Sequence, residues 1–215
     1  MDEQALREQM RACGQRLLSH GLCVGSAGNI SVRCEEALLI TPSGADYNSL
    51  TAGDMVKLSL AGEQLSGELR PSSEWPMHCA IMAERPDAAA IVHTHSPHAT
   101  ALACCGRDIP AFHYMVAVAG GASIRCAPYA TFGSPELAGY ALDALDHRQA
   151  CLLANHGVIA LGGTLEKAFA LAVEVENLAA QYTLVLQLGG GNILDDAAMA
   201  EVMAAFAHYG PGRRE

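Results

Sequence analysis

Apolar positions recur at helical spacing from the start of the chain. Ala5, Leu6, Met10, Cys13, Leu17 and Leu18 share one side of a helix over 2–20, and Gly21 supplies its stop. The small residues Gly25-Ser26-Ala27-Gly28-Asn29 then demand a tight turn. The alternating stretch 30–33 and the apolar run 37–40 predict a hairpin whose second strand ends in Thr41-Pro42-Ser43-Gly44. Alternation over 55–60 predicts another strand. Ser73 is placed to cap a helix running to about residue 85, with Pro76 tolerated because first-turn amides have no helical acceptor. Pro86 ends that helix, and the apolar run 88–92 predicts a strand finishing in His93-Thr94-His95.

Ser96-Pro97 is a cap followed by a first-position proline for a short helix through Cys104. Strands are predicted near 124–127, 151–154 and 158–161, and Gly133-Ser134-Pro135 opens a helix towards Asp146. Thr164 starts the longest helix, to about Leu188, apolar on most faces and so expected to lie against the sheet or another subunit. Gly189-Gly190-Gly191 breaks it, and Asp195 caps a last helix ending near Tyr209-Gly210. Helices and strands intermix with neither linker nor repeat, which predicts one α/β domain over 1–215.

Composition narrows the partners. The 215 residues suffice to bury roughly 70% of the unfolded surface. The hydrophobic share is 51%, its excess over the usual range coming largely from alanine, and mean hydropathy is +0.17. No stretch reaches the ~20 uninterrupted apolar residues a membrane span needs, so no membrane is expected. A net charge of −10 with 13 basic residues supplies no cationic stripe for phosphodiester backbones, so no nucleic acid is expected either. The start, Met1-Asp2-Glu3-Gln4, is acidic and lacks a signal-peptide apolar run, which predicts a cytoplasmic protein. The eight cysteines follow no disulfide or metal framework, several lie in apolar runs, and reduced core thiols are the expectation.

Chemistry concentrates at four positions. In a strand, side chains two apart leave the same face, so His93 and His95 emerge side by side from a rigid element. His156 follows a second apolar strand, just before Gly157, and Glu74 stands at a helix start. Three imidazoles and a carboxylate suit zinc, with cobalt, manganese or iron as substitutes. Glu74 is either a permanent ligand or a base that leaves the metal when substrate arrives. Three turns rich in glycine and hydroxyls, Gly28-Asn29, Ser43-Gly44 and Ser72-Ser73, can present backbone N–H groups to an anion. No Walker-type loop or GxGxxG accompanies them, so a small phosphorylated metabolite fits better than a nucleotide.

These motifs together resemble the class II aldolase/adducin family. The resemblance rests on Gly25-Ser26-Ala27-Gly28-Asn29-Ile30-Ser31-Val32-Arg33, Thr41-Pro42-Ser43-Gly44, Pro71-Ser72-Ser73-Glu74-Trp75, His93-Thr94-His95 and Asn155-His156-Gly157. The runs 109–115 and 126–133 are similar to those of its sugar-phosphate aldolases, and the likeness extends from the first helix to Tyr209. It implies a three-layer α/β fold, with a central mixed, largely antiparallel sheet flanked by helices. It implies that Glu74, His93, His95 and His156 hold Zn2+, with Glu74 also the acid/base. By the same resemblance Gly28, Asn29, Ser43, Gly44, Ser72 and Ser73 bind the substrate phosphate. Tyr114 would reach a neighbouring subunit's site, and Tyr209 would belong to a mobile tail. A cyclic homotetramer with sites between subunits is implied too. Beyond Tyr209 the chain departs from the pattern: Gly210-Pro211-Gly212-Arg213-Arg214 is stiffer and more basic, which leaves tail closure by 210–215 in doubt.

The activity so implied is that of an aldehyde-lyase cleaving a ketose 1-phosphate to dihydroxyacetone phosphate and a small aldehyde. The substrate would be like fuculose 1-phosphate, or a 5-deoxy- or 5-methylthio-pentulose 1-phosphate. Aldol cleavage needs an electron sink, either a lysine Schiff base or a metal. The chain has two lysines, Lys57 in a strand and Lys167 in the first turn of the long helix, neither beside the phosphate turns, so the metal route is expected. Three alternatives stand beside this reading: pentulose-5-phosphate 4-epimerisation, methylthioribulose-1-phosphate dehydration, and a non-enzymatic adducin-like module. His98 reads as a packed surface residue or pocket lining. His20, His78, His113, His147 and His208 show no paired spacing and are assigned no chemistry, while Trp75 and Phe112 read as core or interface aromatics.

Overall fold

A computed structural model describes residues 2–206, so His208, Tyr209 and the 210–215 segment lie outside the described residues. The chain begins with α1 (Glu3–Ser19), β1 (Asn29–Cys34), β2 (Ala37–Ile40), β3 (Val56–Ser59), β4 (Gln64–Ser66), α2 (Trp75–Glu84) and β5 (Ala90–Thr94). It continues through α3 (Pro97–Cys104), β6 (Ile109–Pro110), β7 (Ser123–Ala127), α4 (Pro135–Ala144), β8 (Ala150–Leu153), β9 (Gly157–Gly162), α5 (Leu165–Gln187) and α6 (Asp196–Phe206). Short 3-10 helices cover Ala52–Asp54 and Tyr114–Ala119.

The strands form one sheet in the order β4-β3-β2-β1-β5-β9-β8-β7-β6. Only β7 with β8 is a parallel pair, so the sheet is mixed and largely antiparallel, as the resemblance implies. Helices cover both faces. Ala90 and Val92 of β5 pack into an apolar layer with Met10 of α1, Leu102 of α3 and Val175 of α5. Ile91 between them faces the opposite layer, with Ile81 of α2 and Leu137 of α4. A strand buried on both sides has no polar face, which is why its sequence is a continuous apolar run. Each fully buried leucine or isoleucine in these layers contributes roughly 1.5–3 kcal/mol relative to exposure.

Helix starts follow their capping residues in three cases. Ser134 Oγ accepts from Leu137 N at 3.1 Å, Thr164 Oγ1 from Lys167 N at 3.2 Å, and Asp195 Oδ1 from Ala198 N at 2.8 Å. Two starts differ from expectation. Glu74, not Ser73, is the N-cap of α2, because Ser72 Oγ accepts from Glu74 N at 3.3 Å and delays the helix by one residue. Ser96 occupies the N-cap of α3 without capping it; Glu176 of α5 takes the N–H groups of His98 and Ala99 instead, each at 2.9 Å. The sequence pattern missed β4, β6 and both 3-10 helices, none longer than six residues.

All eight cysteines are free thiols, five of them buried. By length and composition α5 is long and apolar enough to cross a membrane. Here Leu165, Ala168, Phe169, Ala172, Val175 and Leu178 are buried in the sheet's helical layer, while Leu184 and the following Leu188 are exposed.

Candidate metal centre

Three elements converge at the end of β5. Register places Asn29 of β1 opposite His93, and Val158 of β9 opposite Thr94. The β8–β9 turn brings in His156: Asn155 adopts the left-handed region at φ +55°, and His156 N donates to Leu153 O at 3.0 Å. The next residue has to be glycine. A Cβ on Gly157 would lie 2.3 Å from the Thr94 carbonyl oxygen and 2.8 Å from His95 Cδ2. Helix α2 supplies Glu74 from its N-cap.

The four predicted donors meet, with their ligand atoms all within 4.8 Å of one another. His93 Nε2 lies 3.0 Å from His95 Nε2 and 3.0 Å from Glu74 Oε2, and His156 Nε2 lies 3.2 Å from Glu74 Oε1. His93 Nδ1 is 2.8 Å from the Val158 carbonyl, which can only accept, so that nitrogen carries a proton. In the neutral ring Nε2 is then bare and aimed at the centre.

Nitrogen lone pairs and a carboxylate at this spacing repel unless a proton or a cation lies among them. Glu74 Oε1 is buried and makes no hydrogen bond, although His156 is near. Burial opposes charge on Glu74, but the adjacent His93 and His156 rings hold its carboxyl well below the usual carboxylate range. Burial and the His93 and His156 rings push His95 down to about 4, so it offers a lone pair at neutral pH. An orphaned carboxylate oxygen among imidazole nitrogens fits a divalent ion of zinc's class.

The three turns expected to hold an anion also come together. Ile30 N donates to Thr41 Oγ1 at 3.1 Å, Ser72 N to Thr41 O at 3.0 Å, and Ser43 N to Arg70 O at 3.0 Å. Ser43 and Ser72 thus spend on the fold the N–H groups that their turns offered to an anion. The Gly44 and Ser73 N–H groups take no partner among the described residues. Gly28, at φ +78°, abuts the metal donors: a Cβ there would meet His93 O at 2.6 Å. Tyr114 begins the second 3-10 helix, about half exposed and stacked on His113. No hydrogen bond or ring contact joins it to the four donors of its own chain among the described residues.

One residue given no chemistry from the sequence stands behind the centre. His78 is fully buried, with Nε2 2.5 Å from Asn29 Oδ1 and Nδ1 2.6 Å from Ser31 Oγ. Asn29 Nδ2 in turn donates to Glu74 Oε2 at 2.9 Å. The signal for it was the four-residue step from Glu74 to His78 on α2 and the two polar residues inside β1.

The family model for the class II aldolase and adducin N-terminal domain matches residues 8–183. The chain belongs to that family. Among class II aldolase relatives, it is 52% identical over 206 residues to the 5-methylthioribulose-1-phosphate/5-deoxyribulose-1-phosphate aldolase of Rhodospirillum rubrum, covering 96% of this chain and 93% of the relative. It is 48% identical over 191 residues to the L-fuculose phosphate aldolase of Escherichia coli, covering 88% of each. A solved structure of an L-fuculose 1-phosphate aldolase superposes with a TM-score of 0.91 at 39% identity, covering 94% of this chain and 95% of that one. The three-layer fold is therefore the family's own.

Proposed function

We propose that this chain is a metal-dependent aldehyde-lyase that reversibly cleaves a ketose 1-phosphate to dihydroxyacetone phosphate and a small aldehyde. The observation that carries the reading is the Glu74–His93–His95–His156 cluster, its first two members buried and its last two half-buried, beside the joined turns at 28–29, 43–44 and 72–73. Similarity to the Rhodospirillum relative covers more of the chain than similarity to the fuculose enzyme, which favours a 5-deoxy- or 5-methylthio-pentulose 1-phosphate as substrate.

Glu74, His93, His95 and His156 would hold Zn2+, with Co2+, Mn2+ or Fe2+ as substitutes. When bound, the metal supplies the electron sink that aldol cleavage needs. Gly28, Asn29, Ser43, Gly44, Ser72 and Ser73 hold the phosphate end, fixing the C3–C4 bond relative to Glu74. As that bond breaks, its electron pair remains with C3 and the C4 hydroxyl loses its proton to become the aldehyde carbonyl. Tyr114 of a neighbouring copy, assisted by Tyr209, relays that hydroxyl proton to solvent, and Glu74, having taken up a proton from solvent, delivers it to C3, so that no net proton is gained or lost.

No lysine competes for the role of electron sink. Lys57 Nζ is held by Glu3 Oε2 at 2.8 Å, which raises its pKa and keeps it an ammonium, and Lys167 lines a surface hollow with Asp87 and Glu174. The reading includes a cytoplasmic homotetramer in which 1–215 acts as one domain and 210–215 as its tail.

The test is condensation of dihydroxyacetone phosphate with a panel of aldehydes by the zinc-loaded protein. New C–C bond formation with acetaldehyde, methylthioacetaldehyde or lactaldehyde is expected. An epimerase or a dehydratase would release no triose phosphate in the coupled cleavage assay, and that result would overturn the reading.

A further inference from the structure

A histidine, a serine and an asparagine form a polar thread through an otherwise apolar layer. Strand β1 turns Asn29 and Ser31 to one face, two residues apart, and α2 turns Glu74 and His78 to the opposing face, one helical turn apart. The two pairs interlock where β1 and α2 meet. Ser31 and His78 are wholly buried, and Asn29 is 4% exposed. Their neighbours on the same side of the sheet are Ile81, Met77 and Ile91.

The hydrogen bonds in this thread admit one order of protons. Glu74, ionised, can only accept, so the Asn29 amide must face it with nitrogen. That leaves Asn29 Oδ1 towards His78, whose Nε2 must then carry a proton. A neutral His78 is bare at Nδ1, and Ser31 donates its hydroxyl proton there. His78 is wholly buried with only neutral partners on its two ring nitrogens, which favours the uncharged ring and this order of protons.

We propose that His78, backed by Ser31, is a positioning residue that fixes the Asn29 carboxamide with its N–H group on Glu74. The inference rests on the aldolase reading, in which Glu74 exchanges a proton. The two ends of an asparagine amide are nearly the same size, so the single contact with Glu74 would leave the amide free to flip whenever that contact loosens. The His78 N–H, anchored from behind, holds the amide oxygen and prevents the flip. Glu74 thereby meets an N–H donor in one fixed geometry.

The experiment uses the full-length cobalt-loaded protein, its visible absorption bands, and condensation of dihydroxyacetone phosphate with acetaldehyde. His78→Leu should lower kcat roughly 10- to 100-fold with KM little changed, and should shift the cobalt bands. His78→Gln, whose amide N–H can reach Asn29 Oδ1, should recover most of that loss. His78→Asn, which reaches only Ser31, should not. The double variant His78→Leu/Asn29→Ala should be no worse than Asn29→Ala, since both act through one contact. Thermal melts identify folded variants; if His78→Leu does not fold, the Gln-against-Asn comparison decides. Wild-type kcat in His78→Leu, equal losses in His78→Gln and His78→Asn, or additive losses in the double variant would overturn the proposal. A wild-type protein that binds cobalt yet forms no C–C bond would instead overturn the aldolase reading, with the cobalt bands still reporting on the thread.

Discussion

Gly157 sits so close to the end of β5 that a Cβ added to it would stand 2.3 Å from the carbonyl oxygen of Thr94. The same Cβ would come within 2.8 Å of His95 Cδ2 and 3.3 Å of His93 Cε1. The hairpin that delivers His156 can approach the other donors only because this position has no side chain. Gly157→Ala should therefore separate β9 from β5 locally, costing about 1–3 kcal/mol of stability. It should also weaken metal binding at least tenfold. Thermal melts and metal content after dialysis check this, and unchanged values in both would show that the close approach is not needed.

Removing donors tests the centre directly. His95→Ala should lose metal, and elemental analysis at full occupancy would contradict the ligand assignment. Glu74→Gln should keep the fold and lower turnover by several orders of magnitude, because a neutral amide neither neutralises a cation nor moves a proton to carbon. Near-normal turnover in that variant would remove Glu74 from the chemistry.

The centre was legible in the sequence because its signals are local. His93 and His95 lie two apart at a strand end, His156 precedes a glycine, and the apolar runs behind them identify the strands. Both layers of the fold were likewise written in the capping residues and in runs such as 151–154. The His78 thread was not legible, because its partners lie 47 and 49 residues away. Only the packing of α2 on β1 joins them. Strands β4 and β6 escaped for a different reason: three and two residues are too few to show a period. The start of α2 was misplaced by one residue, since Ser72 and Ser73 are equally good caps by composition and only the Ser72–Glu74 bond separates them.

The choice between the metal route and the Schiff-base route is open to a simple test. With Lys57 held by Glu3 and Lys167 at a surface hollow, Lys57→Gln and Lys167→Gln should each retain at least about half of wild-type kcat. Borohydride added during turnover should leave activity intact, whereas chelation should abolish it. Trapping of substrate on either lysine, read by mass spectrometry, would reverse the assignment.

The proposed sharing of the site between copies makes a distinctive prediction about mixtures. Tyr114 is 49% exposed, and its ring contacts are with His113 and Phe206, not with the four donors of its own chain. Tyr114→Phe should cut kcat about 10²- to 10⁴-fold, the range for a lost proton donor or acceptor, without changing metal content or melting temperature. Unfolding and refolding it together with Glu74→Gln should restore part of the activity, because some sites then draw an intact Glu74 from one copy and an intact Tyr114 from another. No recovery from a mixture that demonstrably assembles would place Tyr114 in its own subunit's site or outside the chemistry.

The ion cluster at the start of α1 sets an acid limit to stability, and its sign can be worked out. Glu3 accepts from Lys57 Nζ at 2.8 Å and from Arg7 Nη2 at 2.7 Å, while Arg7 Nη1 reaches the Met55 carbonyl at 2.6 Å. The bonds from Lys57 and Arg7 hold the Glu3 carboxyl below its ordinary value of 4.5. A depressed folded-state pKa means that the unfolded chain binds the proton first. The contribution is therefore complete above about 4.5 and is lost as pH falls through the folded-state value. Glu3→Gln should melt below wild type at pH 7 by a modest, salt-sensitive margin, since the cluster is solvent-screened. The two curves should converge as pH falls below 4.5. A gap that stays constant down to pH 3, measured by melts at matched ionic strength, would mean that Glu3 acts through packing and not through its charge.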